Sequence, residues 1–236
     1  LNGIENMEDA FDDPTAYLYH TKMIQPQWIT KELGESWLMM TMILIKHWPA
    51  NVFVQTYAEL AARLVTKYRF NPDDVAEAID ITPGFQFRDG YRPEGYNSVK
   101  DGQFSIPYCT ACAMYHPEPG ALWYQPETMK DQKIIDLMMK VKADGFVKFD
   151  FFKARFIQDL INGTHPEKFM TVRMKDGTEY VESAFTHPGH PNYMLKDMFR
   201  LTTKNVLSPE KTEGAIDCIC NLEKYEDASI LPSFFY

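Results

Sequence analysis

The sequence predicts an α+β protein, in which a module of helices and strands is flanked by helical segments at both ends. Three observations support this fold class. After Pro49 the apolar residues recur at the spacing of one helix face. The pair Asp176-Gly177 separates two alternating runs, as in a β-hairpin, and two further helical stretches follow at 194–205 and 209–222.

The other elements follow from the same patterns and from turn-forming residues. Basic residues at 67–69 mark the end of the helix that starts at Pro49, and Pro83 closes a strand. Pro107 is expected in the first turn of its helix, where it removes no helical hydrogen bond. The full prediction is helix 49–69, strand 75–82, long loop 85–102, helix 103–115, helix 128–141, hairpin 168–181, rigid turn 187–191, helices 194–205 and 209–222, and a short helix 225–231.

Composition excludes several classes of function. The 236 residues are 45% hydrophobic and 24% charged, as in ordinary folded globular proteins. A net charge of -9 disfavours a nucleic-acid partner, although one local cationic pocket is enough to hold a small anion. No apolar run approaches the ~20 residues of a membrane span, and the acidic start shows no secretory signal, so the cytoplasm is the expected compartment.

Cysteine and histidine spacing does not predict a metal site. Cys109 and Cys112 form a Cys-x-x-Cys pair, which can be redox-active or half of a zinc site, but no second pair has matching spacing. We interpret all four cysteines, including Cys218 and Cys220, as small apolar residues on buried helix faces. His187 and His190 are close enough to share a metal, but the surrounding prolines favour a turn.

The segment 45–64 is the best candidate for a binding site. Lys46 precedes Pro49, and the helix predicted to start there would carry Asn51 and Gln55 in its first turn. A cation beside a helix N-terminus can hold a carboxylate, because the ammonium and the free backbone N–H groups point the same way. Alternatively, Pro49 only starts the helix and Lys46 is a solvated loop charge. His47 either orients a substrate or covers the helix start.

Six sequence blocks, taken in order, resemble a known family. They are IKHWPANVFVQT, NPDDVAEAIDIT, QFSIPYCTACAMY, VRMKDGTEYVE, THPGHPNYML and CNLEKYEDASIL. In this order, over about 35–231, they resemble the C-terminal half of the MmgE/PrpD family. That family includes 2-methylcitrate dehydratase, cis-aconitate decarboxylase and iminodisuccinate epimerase.

The resemblance implies a specific architecture. Family members combine an all-helical domain with a smaller α+β lid that contains a small antiparallel sheet, and the active site lies between the two. They need no metal or organic cofactor. The lid would correspond to 46–190, while 1–45 and 191–236 would belong to the helical domain.

The resemblance also implies roles for individual residues. The family's active-site lysine falls on Lys46 and its lid tyrosine on Tyr108, which are the expected catalytic residues. Asn51 stands where relatives often have His or Glu, and an amide is neither an acid nor a base at physiological pH. Substrate contacts are expected from Lys46, His47, Asn51, Gln55 and Gln103.

The implied chemistry is proton abstraction next to a carboxylate or acyl group. The negative charge that develops needs a nearby cation, which is the role expected of Lys46. Tyr108 would donate a hydrogen bond or a proton to the leaving hydroxyl. The alternative for Tyr108 is a packed helix tyrosine.

The family's catalytic Asp and His residues lie in the N-terminal helical domain and have no counterpart in this sequence. The hypothesis is therefore a split, cofactor-free hydro-lyase acting on a small carboxylic acid. This chain would be the lid-bearing subunit of a hetero-oligomer, and a second chain would supply the helical domain. Alternatives are a non-catalytic subunit that binds a carboxylate or stabilises the complex, a decarboxylase or epimerase, or a longer chain of which these residues are a part.

Overall fold

The computed structural model describes residues 34–35, 45–52, 54–80, 90–143, 167–185 and 195–235, and the account that follows is of these. The chain divides into two compact units, Leu1–Ile43 and Leu44–Tyr236. Apart from Gly34 and Glu35, every described residue belongs to the second unit, so the fold below is that of the second unit. The turn predicted at 187–191 lies outside the described residues.

The second unit alternates helices with short strands. The helices are α1 (Gln55–Tyr68), α2 (Val99–Phe104), α3 (Ile106–Tyr115), α4 (Pro126–Met129), α5 (Gln132–Met138), α6 (Leu195–Thr203) and α7 (Pro209–Cys220). The 3-10 turns are η1 (Pro72–Asp74), η2 (Ala121–Tyr124), η3 (Leu222–Lys224) and η4 (Ala228–Phe234). The strands are β1 (Val75–Asp80), β2 (Val141–Ala143), β3 (Glu167–Met174) and β4 (Glu179–Phe185). This composition confirms the α+β class.

The four strands form one mixed sheet in the order β2-β1-β3-β4. The β3–β4 hairpin is antiparallel, as predicted, and its turn places Gly177 at φ 88°, a conformation that favours glycine. β1 is antiparallel to β3 but parallel to β2, so the expectation of a purely antiparallel sheet is wrong. The reason is the long connection between β1 and β2, which contains α2 to α5 and works as a crossover.

The core lies between one face of this sheet and the helices. α1 packs against α3 and also against β3 and β4. Four of the five residues of its predicted apolar stripe, Tyr57, Leu60, Ala61 and Leu64, are fully buried, whereas the fifth, Val52, is half-buried and precedes the helix. Burial of such side chains contributes roughly 1.5–3 kcal/mol each for the larger ones.

Two helix predictions are corrected at their boundaries. α1 starts at Gln55 and not at Pro49, so Asn51 lies outside the helix. The helix predicted at 103–115 starts at Ile106, because the Ser105 hydroxyl accepts a hydrogen bond from the Tyr108 N–H at 3.1 Å and caps α3. Pro107 occupies the first turn of α3, which confirms its predicted position.

Two neighbouring predictions also differ from the structure. Part of the loop predicted at 85–102 is helical, since α2 begins at Val99. The helix predicted at 128–141 is two helices, because Asp131 accepts a hydrogen bond from the Lys133 N–H at 2.9 Å and starts α5 anew. Val141, the last residue of the helix predicted at 128–141, belongs to β2.

The C-terminal helices α6 and α7 confirm two predicted elements with shorter ends. Ser208 caps α7 by accepting a hydrogen bond from the Lys211 N–H at 3.2 Å. Ala215 and Cys218 are buried in this helix, and the Phe234 ring of η4 lies against Gly214. The short helix predicted at 225–231 is replaced by the 3-10 turn η4. The predicted domain boundaries stay predictions.

Candidate functional site

The segment 45–51, which we call the corner, is an irregular stretch ahead of α1. Trp48 and Ala50 are buried, at 4% and 3% exposure, whereas Lys46 is exposed. Lys46 makes no hydrogen bond or ion pair with any residue that the structure describes. Because α1 begins only at Gln55, Lys46 does not stand directly before a helix N-terminus as predicted. The corner therefore offers an anion an exposed ammonium on a hydrogen-bonded backbone.

Gln55 fixes the backbone of the corner. Its side-chain oxygen accepts a hydrogen bond from the Trp48 N–H at 2.8 Å, and its Nε2 donates to the Trp48 carbonyl at 2.8 Å and the Ala50 carbonyl at 3.0 Å. The side chain is buried at 4% exposure. Both donors and the acceptor of the Gln55 amide are therefore engaged with the main chain, so its geometry is that of a positioning residue.

Contacts from distant parts of the chain hold the corner from its other side. The Tyr124 hydroxyl donates to the Pro49 carbonyl at 2.6 Å, and Trp48 stacks on Trp123 with ring centroids 5.3 Å apart. The Asn51 N–H donates to the Gln103 carbonyl at 2.9 Å. The structure thus brings Asn51 and Gln103 together, both half-buried, through their backbones.

Tyr108 is not on the surface of the corner. Its side chain is fully buried in α3, and its hydroxyl donates a hydrogen bond to the Trp123 carbonyl. Burial raises the pKa of Tyr108 far above its usual value, with a further contribution from Cys112, so the hydroxyl keeps its proton. This arrangement favours the alternative of a packed helix tyrosine, which supports Trp123 beneath the corner.

His47 lies at the edge of a neighbouring cleft together with Glu59 and Arg63 of α1. Glu59 accepts the indole N–H of Trp48 at 3.0 Å and the Arg63 Nε–H at 2.6 Å. Burial acts to raise the pKa of Glu59, but the hydrogen bonds from Arg63 and Trp48 together with nearby positive charge outweigh it, and the net pKa is lowered. The carboxylate is therefore ionised at neutral pH.

Sequence reasoning missed Glu59, Arg63 and Tyr124. The spacing of Glu59 and Arg63, four residues apart on a helix, is a readable signal of a pair on one helix face. Tyr124 gave no such signal, because its partner Pro49 lies 75 residues away in the chain.

The cysteine prediction is confirmed at three positions and wrong at one. Cys109, Cys112 and Cys218 are buried and free, whereas Cys220 is exposed at the end of α7. Burial raises the pKa of Cys109 to about 12, so it behaves as a small apolar side chain. Among the described residues, no three His, Cys, Asp or Glu side chains are arranged to hold a metal ion. No described helix is long and apolar enough to cross a membrane.

Comparison with protein families decides the assignment. The model of the MmgE/PrpD C-terminal domain matches residues 48–224. The chain belongs to the MmgE/PrpD family. The match takes in Asn51, Gln55, Gln103 and Tyr108, and begins two residues after Lys46. A search of curated proteins found no match. The MmgE/PrpD family is one of lyases that include dehydratases, and the mixed sheet and helices described above are consistent with its C-terminal domain.

Proposed function

We propose that this chain carries the lid of a MmgE/PrpD hydro-lyase and that Lys46 binds a carboxylate of its small carboxylic-acid substrate. The observation that carries the proposal is the exposed Lys46 ammonium, which has no partner among the described residues, next to a backbone held by Gln55 and Tyr124. A buried framework limits the positions that the base of the lysine side chain adopts. Binding a carboxylate there therefore costs less conformational entropy than binding one on a flexible loop.

The reaction we propose is elimination of water. A base removes the proton next to a carboxylate or acyl group, the C–H electron pair forms the carbon–carbon double bond, and the neighbouring C–O bond breaks. An acid protonates the departing hydroxide, so the products are an unsaturated acid and water. Lys46 stabilises the negative charge that builds up on the carboxylate during this step.

The acid and base of this proposal come from outside the corner. Asn51 and Gln103 carry amides that do not exchange protons at physiological pH, and Tyr108 is buried with a raised pKa. We propose that a second chain supplies the family's helical domain with its Asp and His residues, in a hetero-oligomer. His47 orients the substrate in this arrangement.

A second candidate function is a non-catalytic subunit that binds a carboxylate or stabilises the complex. Two observations favour it: Asn51 replaces the His or Glu that the resemblance leads us to expect, and the Tyr108 hydroxyl is occupied by the Trp123 carbonyl. In this case Lys46 still binds an anion, but the chain takes no part in proton transfer.

The test is a tagged chain purified from its native cells together with its companions. Mass spectrometry identifies whether a chain with the helical domain is present, and turnover of 2-methylcitrate is followed by the absorbance of the unsaturated product. We expect Lys46→Ala to lower turnover about 100-fold, the size of effect seen when one stabilising donor is lost. The matched control is Lys196→Ala, an exposed lysine on α6.

Three outcomes are decisive. Unchanged turnover and KM in Lys46→Ala contradict the catalytic proposal. Loss of 2-methylcitrate binding in Lys46→Ala, in a preparation whose turnover does not depend on this chain, establishes the non-catalytic subunit instead. Release of CO2 without water, detected by mass spectrometry of the products, replaces dehydration with decarboxylation.

A further inference from the structure

A surface cavity of about 370 Å³ lies between the end of α3 and the end of α6. Its walls come from Tyr115 and His116, from the stretch after α3 that leads into η2, and from the last turn of α6 with the residues after it. None of the corner residues 45–51, all of which the structure describes, lines this cavity. It is therefore separate from the site at Lys46, and its volume is within the range of small-molecule sites.

Aliphatic side chains line the cavity on both of its walls. Leu122 of η2 is 45% exposed, and Val206, just after α6, is 72% exposed. The Val206 and Leu207 N–H groups both donate to the Thr203 carbonyl at 2.8 Å, so the backbone that carries Val206 is fixed by the end of α6. Because removing apolar surface from water is favourable, a molecule that covers both Leu122 and Val206 gains binding free energy.

His116 contributes a polar group to the cavity. Its N–H donates to the Cys112 carbonyl at 2.7 Å and its carbonyl accepts the Trp123 indole N–H at 3.1 Å, which fixes its backbone. The imidazole is half-buried and makes no hydrogen bond with any residue that the structure describes. Burial lowers the pKa of His116 below its ordinary 6.5, against a smaller opposing effect of Asp131, so the ring is uncharged above pH 7. An uncharged imidazole offers one N–H donor and one nitrogen acceptor.

The charges along the cavity cancel. Its charged lining residues, among those described, are Glu118 and Lys204, which form an ion pair with each other and so join the two walls. The Tyr115 hydroxyl is engaged with Asp73, to which it donates at 2.7 Å. An ionic ligand would therefore lose hydration without gaining a free counter-charge, a cost that an uncharged ligand does not have.

We propose that this cavity binds a small uncharged molecule whose apolar body contacts Leu122 and Val206 and whose single hydroxyl or amide group hydrogen-bonds to the His116 imidazole. This inference goes beyond the proposed function and does not depend on it, because the cavity shares no residue with the corner. The ligand class also differs from that of the corner, since Lys46 offers an ammonium to a carboxylate.

The test is an NMR titration of the purified chain, with any companion chains, above pH 7 and with three probes built on the same ring. Benzyl alcohol carries an uncharged hydroxyl, toluene lacks it, and benzoate is charged. We expect benzyl alcohol to bind most tightly and to shift the methyl signals of Leu122 and Val206. Benzoate should leave these signals unchanged.

Two variants assign the contacts. We expect His116→Leu to weaken benzyl alcohol binding roughly 2- to 10-fold, the net contribution of one hydrogen bond, without weakening toluene binding. Val206→Asp places a charge in the aliphatic wall, and we expect it to weaken both probes about 10-fold or more. The matched control is Val181→Asp, because Val181 is 48% exposed on β4 and does not line the cavity.

Several outcomes overturn the proposal. Absence of benzyl alcohol binding, signal shifts at the corner instead of at Leu122 and Val206, or unchanged affinity in Val206→Asp shows that the cavity is not a binding site. Equal wild-type affinity for benzyl alcohol and benzoate overturns the ligand class, and unchanged affinity in His116→Leu overturns the hydrogen bond. Should His116→Leu not fold, as judged by circular dichroism, the wild-type comparison of benzyl alcohol with toluene tests that bond, and equal affinities overturn it. The Lys46→Ala assay is independent of all these results, so failure of the cavity and failure of the proposed function are distinguishable.

Discussion

The corner at 45–51 and the β3–β4 hairpin are both held by hydrogen bonds, but of different kinds. The hairpin is a regular ladder in which Glu167 to Arg173 face Phe185 to Glu179, residue by residue. The corner has no repeating structure. Its carbonyls and N–H groups form hydrogen bonds with Gln55, which is close in the chain, and with Gln103 and Tyr124, which are distant in the chain.

This difference decides where a substitution is tolerated. On the outer face of the hairpin, Arg173 pairs with Glu77 at 2.9 Å and with Glu179 at 2.7 Å, and water replaces either partner at little cost. At the corner, Trp48 and Ala50 are buried, so a lost partner leaves a backbone group without water. A substitution that removes a hydrogen-bond partner at the corner is therefore expected to cost more than one on the outer face of the hairpin.

The largest effect is expected at Gln55. Gln55→Ala removes three buried hydrogen bonds and leaves the Trp48 N–H and the Ala50 carbonyl unsatisfied, each at roughly 1–3 kcal/mol, whereas the Trp48 carbonyl still accepts the Ala50 N–H at 2.7 Å. We expect the free energy of unfolding to fall by about 3 kcal/mol. Relaxation of the backbone that restores some of the lost hydrogen bonds would keep the loss below the sum of the individual costs. Urea denaturation measures this change.

The control for this substitution is Gln132→Ala. Gln132 is exposed on α5 and donates to Asp136 at 2.7 Å, four residues ahead. Its removal should change the free energy of unfolding by no more than about 0.5 kcal/mol. Equal effects at Gln55 and Gln132 would show that the buried bonds of the corner contribute no more than a surface pair.

The next effect is expected at Tyr108. Tyr108→Phe keeps the ring but removes the hydroxyl that donates to the Trp123 carbonyl, and we expect a loss of about 1–1.5 kcal/mol in urea denaturation. Tyr225→Phe, at a half-buried site whose hydroxyl has no partner among the described residues, should be near neutral. If turnover of the assembled enzyme falls in Tyr108→Phe without any loss of stability, the catalytic role expected from the resemblance is restored.

The same contrast explains what could be predicted from the sequence. The hairpin, the α1 stripe and the end of α1 were predicted within a few residues, because each depends on a local pattern such as Asp176-Gly177. The start of α1 was not predicted correctly. Pro49 is a good first helical residue, but the segment around it is held in an irregular conformation by tertiary contacts such as those of Trp48 with Trp123 and of Pro49 with Tyr124. The helix predicted at 103–115 is divided between α2 and α3 at Ser105. The capping role of Ser105 is visible only in the structure, where its hydroxyl accepts the Tyr108 N–H.

The position of the candidate site stays a prediction from the sequence, whereas the structure changes the expected roles of two of its residues. Lys46 is exposed, as an anion-binding residue must be. Gln55 and Tyr108 carry polar groups that look alike in a sequence whether they face a ligand or a buried main-chain carbonyl. The structure places both on the main chain, which the sequence pattern does not encode.

In the hairpin the largest effect is expected at its turn. Gly177 has φ 88°, and an added Cβ there meets no atom within 4 Å, so Gly177→Ala adds backbone strain without a clash. We expect a loss of about 1 kcal/mol, and a smaller loss for Gly177→Asn, because asparagine tolerates this conformation better. Thermal melts of the two variants test the order. A larger loss for Asn than for Ala would mean that backbone conformation does not determine the effect.

The smallest effect is expected at Glu77, which joins Lys142 of β2 to Arg173 of β3 on the exposed face of the sheet. The hydrogen bond from Lys142 holds the pKa of Glu77 below its ordinary 4.5, despite a small opposing effect of burial. A lowered carboxyl pKa adds stability that is present above about pH 4.5 and is lost as the pH falls through the folded-state value. Glu77→Gln should therefore melt at a slightly lower temperature than wild type at pH 7 and at the same temperature at pH 2, and added salt should narrow the difference at pH 7.

Glu226→Gln is the control, because Glu226 is an exposed carboxylate without a partner among the described residues, and it should show no such difference. A gap for Glu77→Gln that persists at pH 2 would mean that the side chain acts through packing and that the hairpin face, like the corner, depends on contacts that water cannot replace.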